Sequence, residues 1–289
     1  MSKLFRAAAL AALGACGAEP IPQYMQDLPR SEEESARVFA EIRKELGEDV
    51  HVEYLEDCFY VASNDTPASF RACKGTISRM YRYLYQDYFQ KKPERPIRVY
   101  LFRDRKTYEE HCAAAYRKPP STPFGFYLSR ERKMVMNIAT GTGTLAHELV
   151  HPLLAEDFPE VPSWFNEGFA SLFEQSGPRG GKIVGDLNWR LPGLVKALKA
   201  GKGVAFAELL ATTSEQFYGD ERGINYASAR YLCYYLQEHG LLIGFYRDFK
   251  AAAKDDPTGA KTLEKATGKS LPDLDKAWRE WVLGLKPRE

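Results

Sequence analysis

The sequence predicts an α+β protein in which a mixed sheet-and-helix lobe over residues 31–160 precedes a mostly helical lobe over residues 161–289. Short β-branched and aromatic runs alternate with helical patterns in the first half, whereas the second half has almost wholly helical spacing. A chain of 289 residues, 44% of them hydrophobic, is long enough to bury a sizeable core. This order of patterns is typical of the α+β class.

The first half of the chain alternates helices and strands. Ser31 and Glu34 form an S-x-x-E capping box, which predicts a helix that begins at Ser31. The other segments follow from apolar residues at helical spacing and from β-branched or aromatic runs. In chain order they are a strand over 51–62, a helix over 69–89, a strand over 97–102, a helix over 105–116 and a hairpin of strands 125–128 and 134–138.

The second half is predicted to be helical. Thr144 is a candidate N-cap for the first of these helices. Pro152 is expected to end or kink that helix, because proline removes one backbone hydrogen bond. Gly177 is expected to end the next helix. The predicted helices cover 144–155, 163–175, 190–200, 224–239, 241–253 and 271–284.

The charge balance argues against nucleic acid as a partner. The chain has 40 Lys and Arg against 39 Asp and Glu, so its net charge of +1 creates no global field toward a polyanion. No basic cluster resembles a DNA-reading element. We therefore expect no nucleic-acid partner, and no membrane attraction from charge alone.

Residues 1–15 have the layout of a secretory signal peptide. A short positive region precedes a small apolar run that is too short to span a membrane. The run ends in LGAC at Cys16, which resembles the lipobox of bacterial lipoproteins. This resemblance implies export to the cell envelope and a lipid anchor on Cys16, with residues 16–30 as a proline-containing tether. The alternative is an ordinary signal peptide with an incidental cysteine.

Four further cysteines follow in the part expected to fold. An exported location permits disulfides, and four cysteines allow three pairings. Cys58 with Cys73 would close the shortest loop and is the predicted bridge. The alternative is that all four are small buried apolar residues. None of the four has metal-ligand spacing with another, which excludes a cysteine zinc site.

The segment HELVH at 147–151 carries the predicted chemistry. Residues four apart share one face of a helix, so the imidazoles of His147 and His151 can reach one ion. Zinc prefers nitrogen ligands of this kind, and the adjacent Glu148 is a candidate general base. The alternative is a chance match on an ordinary helix.

A second helix, SWFNEGFASLFE at 163–174, offers carboxylates. Glu167, Ser171 and Glu174 form one polar stripe at i, i+4 and i+7. If Glu167 faces the first helix, it completes a His₂Glu site and leaves a fourth position for water, as in catalytic zinc sites. Glu174 is a candidate partner for the outer nitrogen of a ligand histidine. The alternative is a solvated face.

The same segment resembles the Trp-Leu-Asn-Glu-Gly-Phe-Ala signature of the aminopeptidase-N-like gluzincins, which share a thermolysin-like catalytic core. This resemblance implies that Glu167 is the third zinc ligand. The segment INYASA at 224–229 resembles the tyrosine segment of that family, which implies that Tyr226 stabilises the oxyanion. Together they imply a zincin-like fold with one zinc ion in the cleft between the lobes. The alternative for Tyr226 is a core aromatic, and other tyrosines, Tyr218 among them, lie nearby.

Two departures restrict what the resemblance implies. Fifteen residues separate His151 from Glu167, fewer than in the aminopeptidases. The Gly-x-Met-Glu-Asn segment that binds a free amino terminus in those enzymes is absent from this sequence. The resemblance therefore supports a zinc peptidase site but not aminopeptidase activity.

These features predict a zinc metallopeptidase that hydrolyses a peptide or protein substrate with a metal-activated water and Glu148 as general base. Zincins pair extended substrate with an edge strand before the active helix, and strand 134–138 is the candidate, with Val135 and Asn137 on one face. The rival function is a catalytically inactive, zincin-fold binding lipoprotein, although ligands, base and tyrosine are all present. A purely structural zinc would need a fourth ligand, which the sequence does not offer.

Overall fold

A computed structural model describes residues 32–120 and 122–286, and it confirms the α+β class. Helices and strands alternate up to β5, and the rest of the described chain is mostly helical. The strands are β1 (His51–Leu55), β2 (Phe59–Ser63), β3 (Ile97–Phe102), β4 (Gly125–Leu128), β5 (Lys133–Asn137), β6 (Ser176–Arg179) and β7 (Lys182–Gly185). The helices are α1 (Glu32–Leu46), α2 (Pro67–Asp87), α3 (Arg105–Tyr116), α4 (Thr142–Asp157), α5 (Ser163–Leu172), α6 (Leu191–Lys199), α7 (Phe206–Ala211), α8 (Ser214–Phe217), α9 (Arg222–Glu238), α10 (Leu242–Ala252), α11 (Ala260–Thr267) and α12 (Leu271–Gly284).

The first five strands form one mixed sheet in the order β1-β2-β3-β5-β4, in which β2, β3 and β5 are parallel. The predicted hairpin of β4 and β5 is confirmed, and it places β4 at one edge of the sheet.

The prediction that strand 134–138 is an edge strand for substrate is wrong. Val135 lies between Tyr100 on β3 and Phe126 on β4, and Asn137 is buried. The hairpin folds β4 over the outer side of β5, so β5 has no open edge.

The segment predicted as one strand over 51–62 is an antiparallel pair, β1 and β2. Glu56 and Asp57 connect the two strands with positive φ angles of 50° and 54°. Such left-handed backbone is uncommon for residues other than glycine, although Asp adopts it more readily than most. The turn therefore carried no glycine signal in the sequence.

Helix α4, which carries the HELVH segment, continues through Pro152 to Asp157. We predicted that the helix ends or bends at this proline, and the prediction that it ends there is wrong. Leu149 and Leu153, on either side of the proline, are fully buried, and this packing holds the helix together despite one missing backbone bond. The helix begins at Thr142 with Gly141 as N-cap, so Thr144 is not the cap.

Short elements in the second half were not predicted. Helix α5 ends at Leu172, and a small hairpin of β6 and β7 follows, turning at Gly180 and Gly181 with φ angles of 55° and 73°. Helices α7, α8 and α11 were not predicted either, because helices of four to eight residues show too little periodicity in the sequence. The remaining helices agree with prediction to within a few residues at each end.

One apolar cluster extends from one face of the sheet into the helical part. It includes Leu101 of β3, Leu153 of α4, Phe169 of α5 and Leu232 of α9. A smaller cluster packs α1 and α3 on the other face of the sheet. The division of the chain near residue 160 stays a prediction, because the larger core crosses it. Within 32–120 and 122–286, no helix is long and apolar enough to cross a membrane.

The cysteines of the described chain are buried free thiols, so the predicted bridge between Cys58 and Cys73 is not formed. Burial raises the pKa of Cys73 to about 11, which keeps its thiol protonated. Both side chains contribute to the larger apolar cluster, in agreement with the alternative of small buried residues. Cys16, the tether and the Ser31 capping box lie outside the described residues.

Asp157, the last residue of α4, joins three parts of the fold. Its Oδ1 accepts hydrogen bonds from the backbone N–H groups of Gln90 and Lys91 at 2.7 and 2.6 Å. Its Oδ2 accepts from the Tyr246 hydroxyl at 2.5 Å and from Lys250 Nζ at 2.7 Å. Burial alone would raise the pKa of Asp157, but Lys250 and the other donors outweigh it and lower the pKa below its usual value.

Asp157→Ala is expected to destabilise the fold by about 3 kcal/mol, because it leaves Lys250 and two backbone donors without their acceptor. A lowered folded-state pKa gives stability that is present above the unfolded pKa and lost as pH falls through the folded pKa. Urea unfolding at pH 7 should show the full difference, which should shrink in acid. Asp248→Ala, which breaks the exposed pair with Lys265, should cost less than about 1 kcal/mol. Equal losses for the two variants would contradict this assignment.

Candidate metal centre

Two histidines on α4 and one glutamate on α5 bring their side chains to one point. The imidazole centroids of His147 and His151 lie 4.8 Å apart, on successive turns of one helix face. Glu167 Oε2 lies 3.3 Å from His147 Nε2 and 3.8 Å from His151 Nε2. One ligand atom from each of the three residues lies within 4.8 Å of the others. The three residues predicted as metal ligands are therefore adjacent.

The spacing of these atoms suits a small tetrahedral cation. Bonds of 2.0–2.1 Å at tetrahedral angles place neighbouring ligand atoms about 3.3 Å apart. The separation from Glu167 Oε2 to His147 Nε2 equals that value, and the separation to His151 Nε2 is about half an ångström longer. Glu167 Oε2 is also buried and has no hydrogen-bond partner among the described residues. Since a buried carboxylate oxygen normally has a partner, a cation at this point would fit the donor set.

The charges around His147 attract a positive charge to the same point. Burial alone would lower the pKa of His147, but the carboxylates of Glu167 and Glu174 outweigh it and raise the pKa to about 10. The same interaction lowers the pKa of Glu167 to about 2, against the effect of burial. A divalent cation would neutralise these carboxylates without a proton on the imidazole.

The outer nitrogen of each histidine faces a polar group. His151 Nδ1 lies 3.0 Å from Asn166 Oδ1. His147 Nδ1 lies 3.4 Å from Glu174 Oε1 and 3.5 Å from the Ser171 hydroxyl. Partners of this kind hold the proton on Nδ1 and leave Nε2 free to bind a metal. Glu174 therefore lies at the outer nitrogen for which it was predicted, and Asn166 is a partner that the sequence analysis missed.

Glu174 is itself held in place from the far side. Arg190 donates to Glu174 Oε1 at 2.7 Å and to Oε2 at 3.3 Å, and Asn188 Nδ2 donates to Oε2 at 3.0 Å. The guanidinium of Arg190 lies over the rings of Trp189 and Tyr226, at 4.2 and 5.2 Å from their centroids. This arrangement connects the outer side of the candidate centre to the predicted oxyanion tyrosine.

Two tyrosines, not one, lie at the centre. Tyr218 donates a hydrogen bond to Glu167 Oε1 at 2.7 Å, and its ring centroid lies 6.2 Å from that of Tyr226. Burial and the charge of Glu167 raise the pKa of both phenols, so both are hydrogen-bond donors at neutral pH. Tyr226 was chosen by its resemblance to a family motif. Tyr218 follows the four-residue helix α8, and no sequence pattern marked it.

Glu148 stands apart from the candidate ligands although it is next to His147 in sequence. Its side chain is partly buried, and it makes no side-chain hydrogen bond or salt bridge that ties it to another described residue. Burial raises the pKa of Glu148, and the nearby carboxylates add to this against the opposite effect of the two histidines. The carboxylate is thus available to a small molecule in the centre.

Two glycines set the spacing of the three helices that build the centre. A Cβ at Gly168 of α5 would lie 2.7 Å from the carbonyl oxygen of Ala229 on α9. A Cβ at Gly143 of α4 would overlap the backbone of Glu174. Without side chains at these positions, α5 can approach both neighbours closely. The glycine of the Asn-Glu-Gly segment therefore has a packing role.

The groups at this centre form a three-ligand set with a separate carboxylate and two phenols beside it. Such a set can hold a divalent cation with an open coordination position, next to a group that can accept a proton. In comparisons with known proteins, no family matches the chain, and no curated protein has significant similarity to it.

Proposed function

We propose that this protein is a zinc-dependent metallopeptidase of the gluzincin type with a zincin-like fold. His147, His151 and Glu167 would hold one zinc ion per chain. The observation that carries the proposal is the approach of two imidazole Nε2 atoms, at 3.3 and 3.8 Å, to a buried carboxylate oxygen that lacks a hydrogen bond in the described chain. Two nitrogens and one oxygen form the donor set of catalytic zinc, which keeps a fourth position open.

In this function each residue around the metal has a separate role. A bound zinc ion supplies a Lewis acid that polarises a carbonyl and lowers the pKa of water. Glu148 takes a proton from the attacking water and passes it to the leaving amine, for which its unpaired carboxylate is suited. Tyr226 donates a hydrogen bond to the developing oxyanion. Asn166 and Glu174 orient the two imidazoles.

The substrate would be a peptide or protein that binds in extended form. Strand β4 is one edge of the sheet, and it contacts α4, the helix that carries the two candidate histidine ligands. Hydrogen bonding to such an edge gives affinity through the main chain of the substrate. We further propose export to the bacterial cell envelope and lipid anchoring at Cys16.

Metal content and hydrolysis, measured together, test the proposal. Purified protein should contain about one zinc ion per chain and should cleave a mixture of unfolded proteins. A chelator should abolish cleavage, and added zinc should restore it. Cleavage that persists after the metal has been removed would contradict the proposed mechanism. Zinc binding without any cleavage would instead favour the catalytically inactive binding protein.

Tyr226→Phe is expected to lower kcat by about 10²–10³-fold, the loss typical of one oxyanion donor. KM and zinc content should change little, because the hydrogen bond forms mainly in the transition state. Steady-state kinetics of the purified variant measure this. Tyr235→Phe is the matched control, since Tyr235 is on the same helix but packs against Trp281. Equal activity of Tyr226→Phe and the wild type would assign Tyr226 to the core instead.

A further inference from the structure

The two oxygens of the Glu167 carboxylate have different surroundings. Oε1 accepts the hydrogen bond from the Tyr218 hydroxyl at 2.7 Å. Oε2 is buried without a hydrogen-bond partner in the described chain and faces both imidazole nitrogens. One oxygen is therefore occupied by a phenol, and the other is left for the metal.

We propose that Tyr218 is a positioning residue that restricts Glu167 to binding the metal through Oε2 alone. A carboxylate without such a donor can bind a cation through both oxygens and would then fill the position that the attacking water needs. The Tyr218 hydrogen bond occupies Oε1 and fixes the rotation of the carboxylate about its last bond. The inference rests on the proposed zinc site and adds an outer partner for its third ligand.

The segment that carries Tyr218 is attached to the elements of the site on two sides. The Ser214 hydroxyl at the start of α8 lies 2.8 Å from that of Ser163, the first residue of α5. Asn225 Nδ2 on α9 donates to the carbonyl of Phe217 at 3.2 Å. These contacts hold the Tyr218 hydroxyl against the carboxylate of Glu167 on α5, even though the residue Tyr218 is 43% exposed.

With Tyr218 included, each of the three candidate ligands has its own outer partner. Asn166 faces His151 and Glu174 faces His147, and Tyr218 donates the 2.7 Å hydrogen bond to Glu167. Tyr226 also lies close enough to Glu167 for that carboxylate to raise its pKa, so the 2.7 Å hydrogen bond to Oε1 is what distinguishes Tyr218. Removal of such an outer partner typically weakens metal binding by about 10–100-fold. The two tyrosines therefore divide their roles, with Tyr218 acting on the ligand and Tyr226 on the reacting carbonyl.

Tyr218→Phe and Tyr226→Phe form a matched pair for the test, because each removes one hydroxyl and keeps the ring. Competition with a chromophoric chelator measures zinc affinity of the full protein. Tyr218→Phe should bind zinc about 10–100-fold more weakly than the wild type, whereas Tyr226→Phe should bind it as the wild type does. With Co²⁺ in place of zinc, Tyr218→Phe should also show weaker visible absorption, because binding through both oxygens raises the coordination number.

The outcomes separate this inference from the proposed function. Unchanged zinc affinity and an unchanged Co²⁺ spectrum in Tyr218→Phe would contradict the positioning role of Tyr218 but would not contradict the proposed metal site. Equal weakening in both variants would also overturn it, since the effect would not be specific to the bonded phenol. Failure of the wild type to bind zinc would remove the metal site and this inference together. Both rings pack against Phe217, and an unchanged thermal unfolding temperature in both variants would show that the fold is retained.

Discussion

Glu148→Gln is expected to lower kcat by about 10²–10⁴-fold while zinc content stays at about one ion per chain. The amide has nearly the same shape as the carboxylate but cannot accept a proton from water. Zinc should remain because Glu148 does not belong to the group of residues whose ligand atoms converge. Metal analysis and steady-state kinetics on the same preparation measure the two quantities.

Glu156→Gln is the control, since it makes the same change on the same helix at a residue that pairs with Arg132. It should retain most of the activity. If Glu148→Gln hydrolyses as well as the wild type, the base is another group. If it loses zinc, Glu148 is a ligand and the assignment of roles within the HELVH segment is wrong.

His147→Ala, His151→Ala and Glu167→Ala should each lose most of the bound zinc and, with it, nearly all hydrolysis. Each removes one of three protein ligands, so the loss of affinity should exceed the about 10–100-fold typical of an outer partner. Competition with a chelator and metal analysis after dialysis measure the loss. Glu167→Ala is the most informative, because this residue comes from a second helix and was assigned partly by resemblance.

His51→Ala serves as the control for histidine loss, since His51 stacks on Phe70 far along the chain from the HELVH segment. Its zinc content should equal that of the wild type. Full zinc retention in all three ligand variants would eliminate the proposed site. Retention in Glu167→Ala alone would keep the histidine pair and shift the third ligand to another group.

Regular periodicity allowed the fold class and most long elements to be predicted. Helix α3 and helix α12 agree with the predicted bounds to the residue, because their ends carry strong local signals such as the Asp104 and Ser270 caps. The failures occur where local signals compete with packing. Pro152 stays within α4 because buried neighbours support the helix, and β1 and β2 are joined by a turn without glycine.

The histidine pair could be predicted because helix geometry places His147 and His151 on one face. Glu167 could be predicted because it begins a polar stripe on the next helix and because its segment resembles a family motif. The approach of the two helices is a tertiary property. It depends on the glycines at 143 and 168, which admit the neighbouring backbones, and on the hydrogen bonds that orient the ligands.

Sequence by itself therefore predicted the histidine pair and the candidate base, since both follow from spacing along one helix, and it predicted Glu167 from the polar stripe of a second helix and its resemblance to a family motif. Tertiary structure decided that β4 and not β5 is the edge of the sheet, that Cys58 and Cys73 remain thiols, and that Tyr218 contacts Glu167. These three features depend on contacts between segments far apart in the chain. Local periodicity does not encode such contacts, because it reports only the neighbours within one element.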